Sequence, residues 1–427
     1  MTNRRTFLRT AGMTIGLIGT APAWLRRAAA QGSPRRKILV SVFQRGAADG
    51  LNIVVPFFEK RYYQLRPGIG IAPPRGITMP VAPAASSAAA LALSGLLPVN
   101  NSNLSIDLDG RFALHPQLQA LKPLWDSGEL AIVHAAGSPD ASRSHFDAQD
   151  FMESGMASTK TDDGWLNRAL PAAADMSPLR AVAMGTTLPR TLRGSRAAVA
   201  VDDLSKFQLA DHDSAAVLEN MYAASSDSGL KTQANGTFEA VRMIDAVLKQ
   251  PYQPVGGAQY IGDFGRKLRQ LAQLIKSDVG VEVAFADMEG WDHHANENSQ
   301  LPALLNEFGT SLAAFSRDMG SRMADIVVVT MSEFGRTAAE SGNQGTDHGH
   351  GGVMLALGGP VKGGKVYGQW PGMEPEQLFE GRDLAVTTDF RDVLGELVRD
   401  HLGGKPDTVF PGFSAGAPLG LVRTQAG

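Results

Sequence analysis

Short apolar runs alternate with amphipathic stretches along most of the chain. Residues 37–43 read KILVSVF, a run typical of a buried strand, and similar runs occupy 130–135, 281–286, 325–331 and 353–357. Such strands are apolar throughout, so both faces of their sheet must be covered. The pattern therefore predicts an α/β fold with a mostly parallel central sheet sandwiched by helices.

Helical spacing of apolar residues lies between these strands. It predicts helices at 115–125, 142–154 and 389–401. The clearest helix is 295–319, whose apolar positions share one face: Leu301, Leu304, Leu305, Phe308, Leu312, Phe315 and Met319. Residues 156–278 are less regular, and we interpret them as an insertion carried by the sheet.

The first 30 residues are typical of an export signal. Arg4-Arg5 is followed by Phe7-Leu8, by an apolar stretch over 11–24 and by three alanines at 28–30. The apolar stretch is shorter than the ~20 residues that a membrane-spanning helix needs, so no stable membrane anchor is expected. We expect the twin-arginine translocase to export the chain, which would leave residues 31–427 as one periplasmic or secreted domain.

Composition excludes several classes of protein. The chain of 427 residues has 43% hydrophobic residues, 19% charged residues and a net charge of −3. A near-neutral chain without a basic run in its mature part is not expected to bind nucleic acid. Cysteine is absent, which excludes disulfides, thiol nucleophiles and cysteine metal ligands.

Polar clusters follow four of the predicted strands. Ligands bind beyond the carboxyl ends of the strands in open α/β sheets, so we expect these clusters to converge. Carboxylates and imidazoles together suit a divalent ion such as zinc, manganese or calcium. The candidate ligands are Asp49, Asp292, His293, His294, Glu333, Asp347, His348 and His350.

Each cluster also has a purely structural interpretation. Asp292 is a possible helix cap, and the glycine-rich segment 345–352 is a possible flexible loop. Ser144 is a possible N-cap of the helix that follows it. Glu333 and Arg336 are able to form a local ion pair without a catalytic role.

Several segments resemble a known family. They include VFQRGAADGLNIVVPF, SRSHFDAQDFMESG, GWDHHAN, EFGRT and GTDHGHGG. These segments resemble the exported bacterial proteins grouped as domain of unknown function 1501, and the resemblance spans essentially the whole mature chain. That family is similar to the alkaline phosphatase and sulfatase superfamily, which implies an alkaline phosphatase-like sheet with metal ions at the strand ends.

The superfamily pattern implies roles for particular residues. Asp49 takes the place of the first metal-binding aspartate. Ser144 takes the place of the nucleophile at a helix start, with Ser142 as the weaker choice. The remaining metal positions correspond to Asp292 with His293 or His294, and to His348 or His350.

The chain also departs from the superfamily pattern. Glu333-Phe334 stands where superfamily phosphatases carry an Asp-His pair, so one imidazole ligand is lost. His293 and His294 are consecutive, whereas phosphatases space the corresponding Asp and His by several residues. No cysteine is present to form the formylglycine of typical sulfatases. These departures favour a one-metal or altered site over a complete two-metal site.

Two functional hypotheses follow from these residues. The first is a metal-dependent hydrolase that acts outside the cytoplasm on a small anionic ester, either a phosphate or a sulfate. Ser144 would attack the ester, and Arg143 or Arg336 would contact its anionic oxygens through paired hydrogen bonds. The second is a non-catalytic relative that keeps the fold to bind a ligand or an exported partner.

Overall fold

The structure is a computed structural model that describes residues 36–77, 104–171, 177–207, 217, 219–222 and 224–423. The export signal predicted for residues 1–30 lies outside this range. Among the described residues, no helix is both long and apolar enough to cross a membrane.

One large sheet forms the centre of the described chain. Its strands are β1 (Ile38–Gln44), β5 (Leu130–Gly137), β6 (Ala181–Met184), β7 (Val199–Ala200), β8 (Val283–Met288), β9 (Ile326–Met331), β10 (Gly352–Leu357), β11 (Lys365–Tyr367) and β12 (Thr388–Asp389). A small second sheet consists of β2 (Val54–Val55), β3 (Ile106–Asp107) and β4 (Ala113–Leu114).

The strands of the large sheet are mostly parallel. Their order is β11-β5-β10-β9-β1-β8-β6-β7, with β12 paired to β5. Strand β10 alone among these strands runs antiparallel, to both β5 and β9. The carboxyl ends of β1, β5, β8 and β9 therefore meet at one edge, and β10 begins at that same edge.

Helices cover both faces of this sheet. The helices are α1 (Gly50–Ile53), α2 (Lys60–Leu65), α3 (Lys122–Asp126), α4 (His145–Ser154), α5 (Trp165–Ala169), α6 (Ser228–Leu248), α7 (Gly262–Lys276), α8 (Glu297–Met319), α9 (Phe390–Asp400) and α10 (Pro406–Val409). Short 3₁₀ helices occupy Pro116–Leu121, Arg190–Leu192, Leu204–Lys206 and Gly320–Asp325.

Hydrophobic cores lie on both faces of the sheet, and successive side chains of β1 point alternately into one and the other. Val40 and Val42 pack with residues of α6, α7 and α8 on one face. Leu39 and Phe43 pack with residues of α4, α5, α9 and α10 on the other. Because successive strand residues point to opposite faces, an uninterrupted apolar run supplies both layers at once.

The predicted fold class is confirmed at this level: the sheet is large, mostly parallel and flanked by helices. Residues 156–278 were interpreted as an insertion carried by the sheet. This segment contributes β6 and β7 to the sheet itself, and α6 and α7 to one of its faces. It is therefore integrated with the sheet to a larger extent than its irregular pattern indicated.

Candidate metal centre

The loop between β9 and β10 brings its two halves together at the carboxyl edge of the sheet. Residues 335–337 pair with residues 347–350 through backbone hydrogen bonds, including Gly349 N to Gly335 O at 2.8 Å. A Cβ at Gly349 would lie 2.3 Å from the backbone carbon of Arg336. A Cβ at Gly345 would lie 2.4 Å from the backbone carbon of His294. These glycines permit close approach of loops, so the segment 345–352 is a packed element rather than a flexible linker.

Three imidazole rings converge at this edge. The Nε2 atom of His348 lies 3.0 Å from Nε2 of His145 and 3.0 Å from Nε2 of His294. Asp292 lies beside all three, with carboxylate oxygens 3.0 Å from Nε2 of His294, 3.6 Å from Nε2 of His348 and 3.7 Å from Nε2 of His145. We call these four residues the imidazole cluster.

Hydrogen bonds on the far side of two rings determine where their protons lie. His348 Nδ1 lies 2.9 Å from the carbonyl oxygen of Arg143, which can only accept a hydrogen bond. His145 Nδ1 lies 2.8 Å from Oε1 of Glu333. Both Nδ1 atoms therefore donate, and in the neutral rings both Nε2 atoms carry lone pairs.

Facing lone pairs of this kind are suited to a cation. Two lone pairs at 3.0 Å repel each other unless a proton or a metal ion lies between them. A proton on one ring would satisfy a single pair of nitrogens, whereas a metal ion would satisfy all three imidazoles and Asp292. Ligand nitrogens about 2.0–2.1 Å from one ion lie roughly 2.8–3.4 Å apart across octahedral (adjacent ligands) and tetrahedral geometries. The observed spacing fits that arrangement.

Burial and hydrogen bonding set the charge of the cluster. Burial raises the pKa of Asp292, but the hydrogen bond and charge of Arg336 more than offset this, so the net pKa is lowered. Burial lowers the pKa of His348. The hydrogen bond to Glu333 raises the pKa of His145. These shifts favour an ionised Asp292 and a neutral His348, whereas at His145 the raised pKa means that a cation would compete with a proton.

Carboxylates behind the rings hold them in position. Oε1 of Glu333 accepts from His145, from Nε2 of Gln149 at 3.0 Å and from the backbone N of Gly46 at 2.8 Å. Oδ1 of Asp347 lies 3.8 Å from Nδ1 of His294. A carboxylate behind a metal-binding imidazole fixes its tautomer and raises its basicity. Glu333 and Asp347, which the sequence named as candidate ligands, thus lie behind the rings of the cluster. Asp347 also forms a possible ligand group with His294 and His348.

Three other predicted ligands lie outside the cluster. Asp49 is buried, and its carboxylate accepts a hydrogen bond from Arg66 at 2.5 Å. His293 is buried, and its Nδ1 atom has no hydrogen-bond partner among the described residues. The ring of His350 stacks on Phe379 with centroids 4.2 Å apart. This placement does not support metal-ligand roles for these three residues, because each side chain is engaged in, or turned into, the protein interior.

The three predicted catalytic residues lie next to the cluster but have other partners. The Ser144 hydroxyl caps α4 by accepting from the backbone N of Asp147 at 3.5 Å. The Arg143 guanidinium donates to Asp383 at 2.5 Å and to Glu380 at 2.7 Å. Arg336 is fully buried and donates to Asp292 at 2.5 Å and to several backbone carbonyls. Both guanidinium groups are therefore engaged by protein partners.

His145 is the cluster residue that the sequence prediction did not assign as a ligand. It is the first residue of α4 and directly follows the capping serine. A helix start after a strand places its first side chains at the carboxyl edge of the sheet. The same argument that selected Ser144 applied to its neighbour, and an imidazole is the better metal ligand.

The fold and the cluster define an α/β protein with a histidine and carboxylate centre at the strand ends of its largest sheet. The chain belongs to the family described as protein of unknown function (DUF1501), whose model matches residues 36–401. That range includes every strand of the sheet and all four cluster residues. No curated protein matches the chain. The family predicted from the sequence segments is thereby confirmed.

Neighbouring histidines offer a matched test of the cluster. We predict that His294→Gln and His348→Gln each lower zinc affinity by more than about 100-fold. Loss of a group that only hydrogen-bonds to a metal ligand typically costs about 10–100-fold. His293→Gln and His350→Gln should retain near-normal affinity, because neither ring belongs to the groups of side chains able to hold a metal ion. Metal content after dialysis and competition with a chromogenic chelator measure this. Equal losses in both pairs would contradict the proposed ligand set.

The carboxylate behind His145 provides a second prediction. Glu333→Gln keeps the size of the side chain but removes the charge that the His145 ring faces at 2.8 Å. We expect zinc affinity to fall about 10–100-fold with the folded state retained. Zinc titration of the variant, with circular dichroism as the folding control, checks this. Unchanged affinity would show that Glu333 does not act through the His145 ring.

Proposed function

We propose that this protein is a metal-dependent hydrolase with one divalent ion at the imidazole cluster. The observation that carries the proposal is the convergence of the Nε2 atoms of His145, His294 and His348 beside the carboxylate of Asp292. Three imidazoles and one carboxylate are typical ligands of zinc and similar ions.

The residues of the cluster would divide the chemistry among them. A bound divalent ion supplies Lewis-acid chemistry, polarising an ester oxygen and lowering the pKa of a coordinated water. Glu333 orients His145, and Arg336 keeps Asp292 ionised. His294 is about half exposed, with 47% of its side chain accessible, so a substrate can approach from its side of the cluster.

The sequence predicts an ester substrate, through the similarity to alkaline phosphatase and sulfatase. Ser144 is the nucleophile in that prediction. Its hydroxyl uses an oxygen lone pair to cap α4, which leaves the hydroxyl proton available for transfer. Helix capping gains only ~0.5–2 kcal/mol, so Ser144→Ala should fold normally and test the role of the hydroxyl directly.

Hydrolysis by the metal-loaded protein tests the proposed function. We expect zinc-loaded protein to hydrolyse at least one of a panel of sulfate, phosphate and carboxylate esters. Chelation should abolish turnover, and added metal should restore it. His348→Gln should be inactive, whereas His350→Gln should retain activity. Absence of turnover on the whole panel with a full complement of metal would refute the hydrolase.

A non-catalytic metal-binding protein is the second candidate function. The observation that favours it is the engagement of both predicted substrate-binding arginines, Arg143 by carboxylates and Arg336 mainly by backbone carbonyls. This candidate shares the metal centre with the first one. Tight metal binding without hydrolysis of any ester in the panel would favour the non-catalytic protein.

We also propose that the protein works outside the cytoplasm. The support is the order of Arg4-Arg5, Phe7-Leu8 and the apolar stretch that follows. Changing both of these arginines to lysine should leave the precursor in the cytoplasm, as measured by cell fractionation. The matched control replaces Arg26 and Arg27, the second arginine pair of the segment, by lysine and should be exported. Normal export of the first variant would exclude the twin-arginine pathway.

A further inference from the structure

One face of α4 carries a row of polar side chains that begins at the imidazole cluster. His145, Gln149 and Glu153 lie on successive turns of the helix, so their side chains follow one another along the same face. Glu153 is buried and Gln149 is partly buried. Buried polar groups are normally hydrogen-bonded, so the partners of these two side chains show what the row does.

The amide of Gln149 lies between a carboxylate and a guanidinium. Its nitrogen donates to Oε1 of Glu333 at 3.0 Å, and its oxygen accepts from Nη1 of Arg45 at 3.0 Å. An ionised carboxylate only accepts hydrogen bonds, and a guanidinium only donates them. Each neighbour therefore imposes the same orientation on the amide. If the amide turned over, two acceptors would meet on one side and two donors on the other.

Arg45 holds the amide oxygen and also connects two elements that carry cluster residues. Its guanidinium donates to Glu153 of α4 at 2.9 Å and to Asp287 of β8 at 2.8 Å. Three acceptors on two elements hold the planar guanidinium in one position. Helix α4 begins with His145, and the loop after β8 carries Asp292. One arginine thus joins the supports of both cluster residues.

The contact made by Gln149 reaches the imidazole cluster through Glu333. Oε1 of this buried carboxylate accepts from Gln149 and lies 2.8 Å from Nδ1 of His145. Each donor that a buried carboxylate keeps favours its ionised form. An ionised carboxylate in a fixed position holds the proton of the neutral His145 ring on Nδ1, which leaves the lone pair of Nε2 directed at the cation.

We propose that Gln149 is a positioning residue of the metal centre, with its amide oriented by Arg45 and acting on His145 through Glu333. The inference rests on the proposed function, because it concerns the cation of that site. Among the described residues, the side chain of Gln149 hydrogen-bonds to no member of the imidazole cluster. Its effect on metal binding therefore passes through the carboxylate.

The variant Gln149→Met removes the donor to Glu333. Methionine keeps the length of the side chain and favours a helix, but it has no group that can donate a hydrogen bond. We expect zinc affinity to fall about tenfold, at the lower end of the range for groups behind a metal ligand. In protein that already carries His145→Gln, the same change should alter zinc affinity less than about twofold, because the ring that Glu333 positions is gone. Competition with a chromogenic chelator measures zinc affinity in all four proteins.

Asp150→Asn is the matched control on the same helix. Asp150 directly follows Gln149, and its carboxylate pairs with Arg190 at 2.9 Å and with Lys160 at 3.4 Å. We expect this variant to keep its zinc affinity, with circular dichroism as the folding control for every protein. An equal loss after Gln149→Met with and without the His145 ring would show a general disturbance of the fold, and would overturn the proposal.

The His145 ring provides a second measurement that needs no metal. Nitrogen NMR at alkaline pH, where the ring is neutral, shows which ring nitrogen carries the proton. We expect Nδ1 to carry it in the unaltered protein, and both tautomers to be present after Gln149→Met. An unchanged tautomer overturns the role of Gln149 whether or not zinc binds. If the protein binds no zinc but the tautomers change as expected, the proposed function fails and the role of Gln149 in positioning the ring stands.

Discussion

The arrangement of the site depends on the hydrogen bonds that the buried guanidinium of Arg336 donates. It is fully buried and donates to the backbone carbonyls of Gly46, Ala47, Trp291 and Thr346 as well as to Asp292. It thereby joins the loops that follow β1 and β8 to the loop that precedes β10. A buried cation is stable only when it is paired and its hydrogens are satisfied. Removing one partner of such a pair typically costs about 3–5 kcal/mol. The same side chain therefore organises three loops and orients a carboxylate of the cluster.

A second buried network lies behind the first helix after β1. Asp49 and Asn52 both accept hydrogen bonds from Arg66, and Asn52 donates to Glu297 at 2.8 Å. Burial raises the pKa of Glu297 well above its usual range, so that this carboxyl is protonated while Asp49 stays ionised beside Arg66. One buried negative charge thus matches one buried positive charge. This network gives the Asp49 carboxylate a buried protein partner at a position where the sequence predicts a metal ligand.

The imidazole cluster differs from this network, because the lone pairs of its facing nitrogen atoms have no hydrogen-bond donor between them among the described residues. Two rings face each other with lone pairs that their own hydrogen bonds prevent from turning away. Polar groups in folded proteins usually find partners, so facing lone pairs that an added cation would satisfy are more informative about binding than a network whose partners are all present. This difference between two polar networks at the same edge of the sheet is the reason to propose a metal site at the imidazole cluster and not at Asp49.

Local sequence determined the elements and the edge at which the chemistry lies. Apolar runs and helical spacing predicted the strands and helices, and polar residues after the strands indicated a site at the carboxyl edge. His294, His348 and Asp292, which the sequence named as candidate ligands, lie close together in the structure. Tertiary structure alone decided between neighbours such as His293 and His294, because adjacent side chains in a loop point in directions that local pattern does not specify. It also assigned His145 to the cluster and turned Arg336 and Asp49 into the interior. Their partners lie on loops far apart in the chain, and packing of those loops against one another determines which carboxylate meets which cation.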